Sequence, residues 1–204
     1  MIDVLYLAWR YLAYHKVKTC TLVAAVAIMV YLPIGLDVLV DHGAADLTSR
    51  AKATPLLAGA KGSPLELVLN SLYFESDAPP TLKYGEVDRI ERSGLATAIP
   101  LYTPFRTGNI PIVGTELEYF EFRNLKLSAG RMMAMLGECV LGSEAARKAA
   151  VGLDGHIFSS PVNAFDFAGV YPLKMKVVGI LRPTGLPDDH AVFVDVKTTW
   201  VIQG

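Results

Sequence analysis

The sequence predicts an α+β chain: one N-terminal transmembrane helix followed by a mixed α/β extracytoplasmic domain. Three observations lead there. Cys20 to Leu36, CTLVAAVAIMVYLPIGL, carries no charged side chain. Arg10, Lys16 and Lys18 stand before it, and only Asp37 and Asp41 follow closely. Beyond them, strand-like and helix-like segments interleave between Gly- and Pro-rich turns.

Composition narrows the class. With 204 residues the chain has room for one medium domain plus an accessory segment. Apolar residues make up 52% and charged ones 19%, with mean hydropathy +0.36. That is apolar for a water-soluble protein and too polar for a bundle of membrane helices. A net charge of -1 and the lack of a basic stripe interleaved with aromatics argue against nucleic-acid binding. Cys20 and Cys139 lie far apart, one in the apolar run and one in the later domain, so they are not expected to pair.

The first segment, residues 1–18, places Leu5, Ala8, Trp9 and Leu12 at helical spacing, with Tyr6, Tyr11 and Tyr14 as amphipathic aromatics. It reads as a helix lying along the inner membrane interface. Residues 19–40 follow as the transmembrane helix, roughly 33 Å at about 1.5 Å per residue, which matches a hydrocarbon core of about 30 Å. Pro33 is tolerable in a membrane helix, and Asp37 falls near the far interface. The positive-inside rule puts the N-terminus in the cytoplasm and the main domain outside. A cleaved signal peptide, ending near Gly43 and Ala45, is the competing reading, but it needs an overlong apolar region and a long aromatic start.

Residues 41–53 read as a helical continuation or stalk, and 54–204 as the folded domain. TPLLAGAKGSP is expected to be a short strand broken by glycines and a proline. Pro64–Tyr73 repeats leucine at 65, 69 and 72 behind an N-terminal proline, a helix pattern. ESDAPPT is a loop, and Tyr84–Ser93 a charged surface helix. ATAIPLYTPFRT and NIPIVGT form a hairpin about Gly108 and Asn109, pushed towards a sheet edge by Pro100, Pro104 and Pro111. ECVLG is a strand delivering the chain to a helix with Ser143 as its N-cap and Glu144 in its first turn. LKMKVVGIL and HAVFVDV are strands flanking the turn-rich RPTGLPDDH.

Chemical motifs are sparse. GAKGS, Gly59 to Ser63, lacks the spacing of a phosphate loop. Ser143 follows a glycine but sits in no nucleophile elbow, and helix capping accounts for it. The histidines at 15, 42, 156 and 190 are scattered. Asp188, Asp189 and His190 make a compact acidic cluster, whose setting favours turn formation and solvation over metal or acid–base chemistry. Cys139 in ECVLG reads as a buried small hydrophobe. No catalytic, cofactor-binding or metal residue is assigned, and the chain is not read as an enzyme.

Three ordered stretches carry a resemblance: IPIVGTELEYFEFRNLKLSAGR, GECVLGSEAARKAAVGLDGHIFSS and YPLKMKVVGILRPTGLPDDHAVFVDVKTTW. With the preceding span they resemble the N-terminal half of MacB-like (FtsX-like) ABC transporter permeases. Leu127–Arg131 matches a Leu-x-x-Gly-Arg entry to the core, and Val140–Ala146 a strand–helix step. Asp154 and Gly155 stand in reversed order to the family's Gly-Asp turn before the strand ending at Phe158. Thr184, Gly185, Pro187 and Asp189 match a Thr-Gly-Thr-Pro-x-Asp stretch, with Leu186 departing from it.

The resemblance implies a permease component in a bacterial cytoplasmic membrane, partnered with an ABC ATPase that binds the ATP, in contact with membrane lipids and paired with itself or further permease subunits. Export or extraction of lipid, lipoprotein, peptide or drug, or mechanotransmission, would be its work. Such permeases have further spans after the outer domain, so a fragment or split half is expected; the alternative is a single-span anchored binding or sensor module.

Overall fold

The computed structural model describes residues 2–75, 79–160 and 172–204, which fall into two units, Met1–Leu56 and Leu57–Gly204. In the first, α1 (Ile2–Tyr14) is followed after His15 by α2 (Lys16–Lys52). The backbone bonds His15 N–H to Tyr11 O (3.1 Å) and Thr19 N–H to His15 O (3.0 Å) carry the helical pattern through the join. Lys16–Asp41, 26 residues with mean hydropathy 2.3, is long and apolar enough to cross a membrane. Its apolar side chains are exposed, Val26, Met29, Leu32, Leu36 and Leu39 among them. The helix continues without a break through the predicted stalk, so its 37 residues reach roughly 55 Å.

The second unit begins with a correction. TPLLAGAKGSP forms no strand: residues 54–63 run irregularly into a helix. Gly59 lies against Leu67, and Ser63 accepts the Glu66 N–H as the cap of α3 (Pro64–Tyr73). Helix capping thus accounts for Ser63 of GAKGS. Of the predicted loop 75–81, residues 76–78 lie outside those described. The charged segment forms α4 (Gly85–Ser93), which buries no side chain.

A seven-stranded mixed sheet follows: β1 (Tyr102–Thr107), β2 (Ile110–Thr115), β3 (Leu127–Gly130), β4 (Glu138–Leu141), β5 (His156–Phe158), β6 (Lys174–Leu181) and β7 (Val192–Asp195). The order is β1-β2-β7-β4-β6-β3, with β5 also pairing β6. β1 and β2 form the predicted hairpin, turning at Gly108 with φ +56°. β2 and β7 are parallel, as are β4 and β6, and the other pairs are antiparallel. The sheet curls until Ser160, just past β5, donates its N–H to Arg106 O at 2.7 Å, so the outer edge of β1 is partly paired.

The central strands are buried on both faces, which explains their nearly continuous apolar sequences. On one face Ile112, Val192, Val194, Cys139, Leu141 and Val177 pack with Ala145 of α6 (Ser143–Ala149) and Ile202 of α7 (Val196–Gln203). On the other, Val113, Phe193, Val140 and Val178 pack with Phe74 and with Tyr119 and Phe120 of α5 (Leu117–Phe122). Phe193 meets Tyr119 and Phe120 with ring centroids 5.6 and 5.3 Å apart.

Candidate functional site at the split sheet edge

The motif residues gather at two places on this sheet. The first is the outer edge of β6, which two strands share end to end. β3 pairs its last residues, Gly130 opposite Gly179, and β5 pairs its first, His156 opposite Lys176. Between them Arg131 N–H donates to Val178 O (2.8 Å) and Asp154 N–H to Val177 O (2.9 Å). The chain therefore leaves the edge at Arg131, builds β4 and α6, and re-enters at Asp154.

Gly130 is required here. Its φ is +81°, and an added Cβ would overlap Val178 O and lie 2.9 Å from Gly179 Cα. Arg131 then turns back over β4, where its guanidinium forms a two-pronged pair with Glu138, one arm at 2.7 Å. Ala134 and Met135 add backbone N–H bonds to the same carboxylate, at 2.9 and 3.2 Å. Glu138 is buried, and the Arg131 bonds foremost push its pKa down to about 2. At the re-entry point Lys176 Nζ lies 2.8 Å from Asp154, and that bond holds the Asp154 pKa low. The reversed Asp154-Gly155 pair still makes a turn, with Asp154 itself in the left-handed region at φ +60°. Two motif charges thus seal a break in a sheet edge, a structural task.

The second place is the strand–helix step after β4. Ser143 is not the cap: Gly142 holds that position and Ser143 is the first helical residue, its hydroxyl without a bond among the described residues. Gly142 is needed because a Cβ there would overlap the carbonyls of Asp188 and Asp189. Those two residues, in the 3₁₀ turn Pro187–His190, are buried, so the expected solvation is corrected while the expected turn is present. Asp189 accepts the N–H groups of Thr184 (2.9 Å) and Gly185 (2.7 Å), and Asp188 accepts the Tyr119 hydroxyl at 2.7 Å. Burial is affordable for these carboxylates because their oxygens are hydrogen-bonded. His190 stays outside, 3.4 Å from Lys148 Nζ.

A third position is defined by topology. β2 and β7 are parallel neighbours whose following helices, α5 and α7, pass to opposite faces, the place where open α/β sheets commonly take a ligand. Here Tyr84 bridges the diverging helices. Its hydroxyl donates to Glu116 at 2.5 Å and its ring stands edge-on to Trp200 at 5.2 Å. The Glu116 bond foremost raises the Tyr84 pKa to about 12, so the phenol stays neutral. Cys139 is buried as expected, its thiol pushed up to about 12 by burial. No group of three or more metal-ligating side chains occurs among the described residues.

Residues 23–203 match the sequence profile of the MacB-like periplasmic core domain. The chain belongs to that family. The match begins inside α2 and takes in every element of the second unit. Solved structures with related architecture include the periplasmic region of MacB from Actinobacillus actinomycetemcomitans, at 16% identity over 62% of this chain and 61% of that one, TM-score 0.45. Another is the extracellular domain of the noncanonic ABC-type transporter YknZ from Gram-positive bacteria, at 16% identity over 68% and 71% of the two chains, TM-score 0.40. A domain of a putative permease from Porphyromonas gingivalis follows at 15% identity over 50% and 49%, TM-score 0.35. The chain thus spans less than two thirds of the MacB region it resembles. Comparison with curated proteins gives no match.

Proposed function

We propose that this chain is a permease component of a bacterial ABC transport complex, in which residues 19–40 cross the cytoplasmic membrane, 41–53 form a stalk and 54–204 work outside. The observation that carries the reading is the family match over residues 23–203, which joins the apolar helix and the α/β domain in one profile. Arg10, Lys16 and Lys18 before the span favour a cytoplasmic N-terminus, with α1 along the inner interface. ATP is bound by a separate ATPase, and this chain answers its cycle by a change of shape. α2 runs as one helical element through Pro33 to Lys52, which suits that task. One apolar helix encloses no polar pathway, so transport needs partner spans.

Isolation of the full chain from bacterial membranes in mild detergent tests the reading. An ABC ATPase is expected to co-elute at fixed stoichiometry, with ATP hydrolysis in the same fractions. A chain that elutes alone, with no hydrolysis above background, would count against it.

A further inference from the structure

Part of the sheet's edge is open among the described residues. The outer side of β1 is held by Ser160 and interrupted by Pro104, whereas among the described residues no strand pairs with the outer side of β3. Ser128, Ala129 and Gly130 are all exposed there, and none of them has a large or charged side chain to bar approach. Exposed edges offer unpaired N–H and C=O groups to any extended chain.

The charge flanking this edge is mainly positive; Asp154, exposed at the break beyond Gly130, is the acid beside it and is paired with Lys176. From Arg123 to Gly137 the sequence carries Arg123, Lys126 and Arg131 and no acidic residue, in a chain whose net charge is -1. Arg182 joins them from the end of the neighbouring β6, its backbone N–H on Lys126 O at 2.8 Å and its Nε on Leu127 O at 3.1 Å. Glu138 pairs with Arg131 from beneath it and Asp154 adds a weaker attraction, whereas Lys126 has no ion-pair partner among the described residues. A second copy of this edge would bring like charges together, which disfavours self-pairing. The irregular register between Leu127 and Ala129 keeps any added strand short, so charge must supply much of its affinity.

We infer that the β3 edge, Leu127–Gly130 flanked by Lys126, Arg131 and Arg182, docks an extended acidic segment of a partner protein by strand addition. The inference rests on strand geometry and charge and is independent of the transport reading, since it holds on whichever side of the membrane the domain lies.

The test uses the full chain in nanodiscs of zwitterionic lipid. The probe is a blocked peptide alternating glutamate and valine, with a control in which glutamine replaces each glutamate. The acidic peptide is expected to bind with Kd between about 10 µM and about 1 mM and to slow amide exchange across residues 127–131. Its affinity should fall with salt, and Lys126→Glu should weaken it about fivefold. Ser128→Pro should remove the protection; if that variant fails to fold, the exposed Lys126→Glu still decides. Equal binding of the glutamine peptide, or protection confined to other strands, would overturn the inference. So would protection of the same amides, without peptide, in a second set of nanodiscs that contain phosphatidylglycerol, which would assign the edge to lipid. Protection that rises with protein concentration and needs no peptide would overturn it in favour of a second copy.

Discussion

Replacing Gly130 with alanine separates two costs that a glycine can hide. Gly94, the C-terminal cap of α4, has φ +66° with nothing within 4 Å of an added Cβ, so Gly94→Ala meets only the left-handed strain. That strain is about 1–2 kcal/mol. Gly130 has a similar φ of +81°, but its Cβ would overlap Val178 O, approach Leu153 Cδ2 at 2.7 Å and lie 2.9 Å from Gly179 Cα. Ordinary carbon contacts begin near 3.5 Å, and two of these neighbours are backbone in a paired strand that cannot yield alone. Overpacking of this kind adds about 1–3 kcal/mol, for a total of about 2–5 kcal/mol in a domain worth about 5–15. Urea unfolding of the detergent-solubilised chain, followed by near-UV circular dichroism, reads both variants. Gly130→Ala is expected to lose about 2 kcal/mol more than Gly94→Ala. Equal losses would refute the close approach of β3 to β6, and with it the split edge.

Glu138 gives a pH dependence whose sign is set by its lowered pKa. Its contribution is fully present above the unfolded carboxylate value near 4.5 and is lost as pH falls through about 2. Glu138→Gln should therefore flatten the urea midpoint between those limits and lower stability at pH 7 by about 1–3 kcal/mol; an unchanged slope would contradict the assignment. Tyr119→Phe removes a phenolic donor from the buried Asp188 and should cost about 1–3 kcal/mol in the same assay, while a neutral result would mean that the bond is not formed in solution. Ser143→Ala should stay within about 0.5 kcal/mol, because the hydroxyl has no bond among the described residues. A loss near 1 kcal/mol would restore Ser143 as a helix cap.

Much of this was legible in residue patterns, and the exceptions have physical causes. The continuous helix announced itself through an uncharged run, and the Pro64–Tyr73 helix through its proline and leucine spacing. The Gly108–Asn109 hairpin followed from turn chemistry. By contrast α5, LEYFEF, is a single short helix without a side-chain cap, formed because Tyr119 and Phe120 are drawn into the core. α7, VKTTWVIQ, is rich in β-branched residues; Asp195 capping Lys197 N–H, Thr199 packed on Gly114 and Ile202 in the core override that propensity. The cap was the signal available for it. β3 has no alternation to read at all, since Leu127, Ser128, Ala129 and Gly130 pair only because two glycines let the backbones meet.

At the site, the Leu-x-x-Gly-Arg match was read as an entry to the core and not as a break in a sheet edge, and the burial of Glu138 beneath Arg131 was invisible because its partner donors come from the intervening loop. The acidic turn was misread as solvated for a related reason. Asp188 and Asp189 are buried by partners distant in sequence or folded back upon them, Tyr119 in one case and Thr184 and Gly185 in the other. Tyr84 gave no sequence signal, since its role depends on where α5 and α7 diverge.

The most direct test of the account is the side of the membrane on which the α/β domain stands. Leu95→Cys, at a position 90% exposed, and Arg10→Cys, near the N-terminus, can each be treated with a membrane-impermeant maleimide in intact spheroplasts, then after permeabilisation. Cys139 stays silent as a buried, neutral thiol, and Cys20 within the span serves as the background. Labelling of Leu95→Cys in intact cells, with Arg10→Cys reacting only after permeabilisation, is the predicted result. The reverse pattern, or a shortened chain found in the soluble fraction, would contradict it.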